Sequence, residues 1–178
     1  MEECTIYYED TKHSCQLIAE KLSGYEGITC KKASEFTRQT FIFEGNSNVG
    51  FIFESDKEKV PYAMKHIIWR IVMDKANYVF VVVTGGAREF EALKCVNDEL
   101  SQRGYGISNL YSKYIFEKHH LDTKEVTHKI IQDMETQEAK YPAFREKING
   151  MNKKELRKVL KSGYRDFRRY RKKSRSVI

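Results

Sequence analysis

The chain has 178 residues, 40% hydrophobic and 32% charged, with a formal net charge of +7. That length fits one domain with at most an appendage, and that balance can bury a core, which excludes disorder throughout. No apolar run is long enough to span a bilayer and no signal-peptide core opens the chain, so a cytoplasmic protein is expected.

The average charge hides a split. From Arg145 onward there are 14 Lys and Arg against 3 Asp and Glu, whereas the first 144 residues hold 18 basic and 22 acidic side chains. A mildly acidic body therefore carries a strongly basic tail, and each needs its own explanation. The four cysteines, Cys4, Cys15, Cys30 and Cys95, form no C-x-x-C pair and have no regular spacing. That argues against a zinc knuckle, a cluster held by this chain alone or a disulfide framework, and for reduced, mostly buried thiols.

Residues 4–8 are β-branched and aromatic and read as a short strand. A polar loop over 9–14 leads to a helix over about 14–23. Cys15, Ile18, Ala19 and Leu22 share one face of it, Ser14 can cap it and Gly24 ends it. Residues 28–32 form a weak strand candidate. Phe36, Phe41 and Phe43 suggest an extended piece, and Gly45 to Asn48 a turn. Residues 49–53 form a buried-looking strand, followed by a charged loop over 54–59. Pro61 suits the first turn of a helix, which Met64, Ile67, Ile68, Ile71 and Val72 extend towards Asp74. Trp69 on that helix is expected in the core.

The six residues from Tyr78 to Val83 are all apolar or aromatic, four of them β-branched. Lack of alternation says that both faces are covered, so this strand is expected at the centre of a parallel sheet. It stops at Thr84-Gly85-Gly86, where two glycines allow unusual backbone angles and close approach of a ligand. The next helix spans about 88–103, with Leu93, Val96 and Leu100 inward and Gly104 as its stop. Residues 107–116 have strand-like content. His119 and His120 read as a solvated loop rather than a metal site. A helix follows over about 123–138, with Val126, Ile130, Ile131 and Met134 inward, and Pro142 breaks the pattern.

Strands alternating with helices imply right-handed crossovers and a parallel sheet. The expected fold is a three-layer, five-stranded α/β domain over 1–144, with a basic helical extension over 145–178. In such a fold, ligands sit beyond the carboxyl ends of the strands.

Over about residues 4–138 the chain resembles a flavodoxin-like domain, most closely the flavodoxin-like half of bacterial proteins that fuse it to a two-cluster ferredoxin. Three loops carry the resemblance. The first, Glu9 to Ser14, corresponds to a Ser-Gly-Thr-Gly-Asn-Thr stretch that wraps the phosphate of FMN. Thr11 and Ser14 match hydroxyl positions, His13 takes the Asn position, and Lys12 replaces a glycine. Glu9 and Asp10 replace Ser and Gly, and each carboxylate would repel a phosphate dianion by about 1 kcal/mol or more at contact. In the second loop the family has an aromatic-rich turn that stacks on the isoalloxazine ring. Here Glu54, Ser55 and Asp56 open a stretch with no aromatic, which forgoes about 1 kcal/mol of stacking. The third loop, Thr84, Gly85 and Gly86, matches closely.

The resemblance implies an FMN-binding redox protein that carries electrons to or from an iron–sulfur or other acidic partner. Its flavin would lie across Asp10, Thr11, Lys12, His13, Ser14, Glu54, Ser55, Asp56, Thr84, Gly85 and Gly86, and no catalytic side chain is required. The alternative is a flavodoxin-like domain that has lost flavin and acts as a protein-binding module. In the tail, Leu156, Val159, Leu160, Tyr164, Phe167 and Tyr170 share a helical face opposite Lys and Arg. A docking connector for an acidic partner is favoured there over a nucleic-acid or membrane surface.

Overall fold

A computed structural model describes residues 2–139, 141–142 and 147–175. Five strands form one parallel sheet: β1 (Cys4–Tyr8), β2 (Ile28–Lys32), β3 (Asn48–Phe53), β4 (Tyr78–Val83) and β5 (Asn109–Ser112). Their spatial order is β2-β1-β3-β4-β5, with every pairing parallel. This is the order of the flavodoxin-like fold, and it reverses between β1 and β3. In register, Cys4 lies between Ile28 and Asn48, and Val82 lies between Ile52 and Tyr111.

Helices cover both faces. α1 (His13–Ser23) and α5 (Thr123–Glu135) pack on one face. α2 (Tyr62–Arg70) and α3 (Glu89–Gln102) pack on the other, joined by α6 (Lys153–Arg175). The short α4 (Lys113–Lys118) follows β5 directly. The pleat sorts the strand residues between two cores. Tyr7, Phe51, Phe53, Val79, Val81 and Val83 meet Met64, Ile67, Leu93 and Leu100. Cys4, Ile6, Ile52, Phe80 and Val82 meet Ile18, Leu22, Ile130 and Met134. Each fully buried large side chain contributes roughly 1.5–3 kcal/mol relative to exposure. Gly50 makes room for the Phe80 ring beside it, because a Cβ at Gly50 would lie 2.3 Å from that ring.

Several boundaries differ from the sequence reading. Tyr78–Val83 is an interior strand, but the centre belongs to Asn48–Phe53. α2 stops at Arg70, and Ile71–Val72 instead pairs parallel with Ile42–Phe43 in a separate two-stranded ladder. Residues 33–36 form a 3-10 turn. The strand at 107–116 shrinks to four residues, because Ser112 caps α4 by accepting from the Ile115 N–H. Trp69 is 43% exposed, with the Lys65 ammonium 4.9 Å from its ring.

The extension joins the domain. Ile148, Leu156 and Leu160 are buried in the same cluster as Leu93 and Leu100. The expected boundary between 144 and 145 lies outside the described residues. So do the side chains of Tyr164, Phe167 and Tyr170. Among the described residues no helix is long and apolar enough to cross a membrane. All four cysteines are free, Cys4 and Cys15 fully buried.

Candidate functional site

The reversal between β1 and β3 places three loops together at the carboxyl end of the sheet. Residues 9–12 follow β1, residues 54–60 follow β3 and residues 84–87 follow β4. These are the loops that the sequence singles out, so the fold does bring the expected residues to one edge.

The first loop is organised around Glu9. Its N–H donates to the Ile52 carbonyl at 2.9 Å, which continues the sheet by one residue. Its carboxylate accepts from the Glu54 N–H at 3.1 Å and from the Thr11 hydroxyl at 3.2 Å. Burial raises the Glu9 carboxyl above its ordinary range, against those two hydrogen bonds and Lys12. Asp10 turns away towards the end of β2. There it accepts from the Ser34 N–H at 3.1 Å and the Ser34 hydroxyl at 2.7 Å. Burial acts to raise Asp10, but the Ser34 bonds and Lys32 outweigh it and hold the carboxyl below its usual range.

Lys12, not Ser14, is the N-cap of α1, and its side chain makes no capping bond. Its ammonium lies 3.8 Å from the Glu54 carboxylate, and His13 is exposed on the first turn. The Ser14 hydroxyl donates to the same carboxylate at 3.1 Å and lies 2.8 Å from the Thr84 hydroxyl. Thr84 also contacts the Cys15 sulfur at 3.3 Å. Burial pushes the Cys15 thiol up to about 11, so it is no thiolate nucleophile at neutral pH.

The second and third loops close on each other. The Ser55 N–H and hydroxyl both donate to the Gly85 carbonyl, at 2.9 and 2.8 Å. Gly86 adopts φ +97°, and a Cβ there would lie 1.9 Å from the Ser55 carbonyl oxygen. Only glycine allows that approach. Asp56 turns inward on its own loop: its carboxylate accepts from the Glu58 N–H at 2.7 Å, and its backbone pairs with Lys59. Lys59 takes a left-handed φ of 71° to complete that turn.

These contacts bear on the FMN expectation. A phosphate at the first loop needs backbone amides and hydroxyls as donors. Here the Glu9 carboxylate takes the Glu54 amide and the Thr11 hydroxyl, and the Glu54 carboxylate takes Ser14. A dianion would face both carboxylates. Ser55 packs directly against Gly85 and Gly86. Two carboxylates at this edge disfavour a phosphate dianion there. Among the described residues no group of three or more His, Cys, Asp or Glu suited to hold an ion occurs.

Sequence reasoning passed over two participants. Glu9 counted only as a departure from the family pattern, yet it holds the loop together; a carboxylate straight after a buried strand was the available signal. Lys113 was hidden in an expected strand, but its side chain lies over Gly85, where a Cβ would come within 2.8 Å of it. Compared with protein-family models and with curated proteins, the sequence matches neither.

Proposed function

We propose that this chain is a flavodoxin-like domain that works without flavin, as a binding module. The observation that carries the reading is the engagement of the Glu54 amide and the Thr11 hydroxyl by the Glu9 carboxylate. A carboxylate on the first loop would repel the cofactor's phosphate. The carboxyl edge then serves the fold, locking β1, β3 and β4 together, and recognition passes to the surface. The charge split supports an acidic macromolecule as partner, since the basic residues concentrate in the extension.

The test begins with the absorption spectrum of the purified full-length chain. The account expects a colourless protein with no flavin bands, before and after incubation with FMN and desalting. A retained yellow chromophore in stoichiometric amount would restore the redox reading. In that reading the flavin carries electrons to or from an acidic iron–sulfur partner. The strand order and the Thr84-Gly85-Gly86 turn favour it, and the same spectrum decides between the two.

A further inference from the structure

The solvent side of α6 carries a straight stripe of cations. Lys154, Lys158, Lys161, Arg165, Arg168 and Lys172 recur at alternating spacings of four and three, and all six are exposed. At helical geometry they lie within about 40° of one line and span about 27 Å. Leu156 and Leu160, on the opposite side, are buried in the domain core. No Asp or Glu occupies a stripe position.

The stripe meets α4 at a crowded node. Lys118 donates to the Tyr114 hydroxyl at 3.3 Å and sits 5.5 Å from its ring centre. The Arg157 guanidinium lies 5.2 Å from the same ring and 5.5 Å from the Phe90 ring. Lys153 approaches Phe90 at 5.5 Å from its ring centre. Lys161 reaches Lys118, whose contact holds the Lys161 ammonium below its ordinary range. Among the described residues no carboxylate forms an ion pair with Lys118, Arg157 or Lys161. The neighbouring acids are engaged: Glu89 accepts from the Tyr114 N–H, and Glu117 pairs with Lys113. The Arg157 Nε is buried without a hydrogen-bond partner. Aromatic faces offset part of the repulsion among these cations, but an anion would offset it far better.

We propose that the α6 stripe, with Lys118 and Arg157 at its inner end, is a sequence-independent site for the phosphate backbone of a nucleic acid. The proposal rests on the reading of the domain as a flavin-free binding module. Membrane insertion is disfavoured because Leu156 and Leu160, on the apolar side that it would need, are buried in the core. A nucleic acid is favoured over an acidic protein by charge density. Duplex DNA carries one charge per about 1.7 Å of axis, so about 27 Å presents about 16 phosphates to six aligned cations.

The test is fluorescence anisotropy with the full chain and two labelled probes of arbitrary sequence. One is a DNA duplex of about 20 base pairs and the other a single-stranded RNA of equal length, between about 50 and about 200 mM salt. Binding of either probe at low salt that falls steeply with salt is the expected result. The triple variant Lys161→Gln, Arg165→Gln, Arg168→Gln should weaken it at least about tenfold and reduce the salt slope by about 2–3. A thermal melt confirms that this exposed triple variant is folded, and Lys118→Gln should weaken binding in the same direction. Three results overturn the proposal: no binding of either probe at low salt, equal affinity of the folded triple variant, or displacement by polyglutamate at equal charge concentration. The last would assign the stripe to an acidic protein. FMN uptake by the same preparation would instead overturn the reading beneath it.

Discussion

Gly86 and Glu9 set the character of the carboxyl edge at the level of single residues. Gly86→Ala forces a Cβ onto the Ser55 carbonyl at a positive φ, so a loss of at least about 1–3 kcal/mol is expected by urea unfolding. Gly45, where a Cβ meets nothing within 4 Å, provides the control with little loss. Glu9 predicts a pH signature. Its folded carboxyl titrates above its unfolded value, so the folded state binds the proton more tightly. Its contribution to stability is present in full below the unfolded pKa and is lost as pH rises through the folded pKa. Glu9→Gln should therefore gain stability relative to the natural chain on going from acid to neutral pH. Urea unfolding of both chains at the two pH values measures that difference, and a constant gap would show that Glu9 is not buried as described. The sequence displayed both residues. What it concealed was direction, because nothing in the string Glu9-Asp10 says that the first carboxylate turns in and the second turns out to Ser34.

The strands were the most legible elements, and the reason is burial. β3 and β4 are covered on both faces, so from Val49 and from Tyr78 their sequences run without polar alternation. The errors fall where two periods coincide. Ile71 and Val72 continue the stripe of α2 at helical spacing, yet they are β-branched and pair with Ile42 and Phe43 once the chain turns. Tyr114 and Ile115 favour a strand by propensity, but the Ser112 cap and the pairing of Lys113 with Glu117 one turn on belong to a helix. Tertiary context decided both cases. α6 was expected as an appended element, and its inner face proves to be core. Leu156→Ala should cost about 2–5 kcal/mol by urea unfolding, the range for a buried leucine. A cost near zero would mean that the helix is dispensable to the fold. α5 offers a second measurement of element packing. Lys129 and Asp133 form a buried ion pair, and Asp133 also accepts from the Tyr111 hydroxyl at 2.7 Å. Removing the cation with Lys129→Met leaves a buried carboxylate, and a loss of about 3–5 kcal/mol is expected in the same assay.

For the molecule as a whole, architecture and chemistry separate. Strand order places residues 9–14, 54–56 and 84–86 at one edge, and that placement followed from the alternation of strands and helices. Occupancy of the edge did not follow, because it depends on which side chains satisfy which donors. The Thr11 and Ser14 hydroxyls bind Glu9 and Glu54, while the cations gather about α4 and α6. A fold associated with a cofactor does not by itself imply that the cofactor is bound, since function lives in the site rather than in the scaffold. The most direct measurement is a fluorescence titration of FMN with the full-length chain at neutral pH. The account predicts no quenching with the protein at tens of micromolar. Saturable, stoichiometric quenching at or below one micromolar would contradict it.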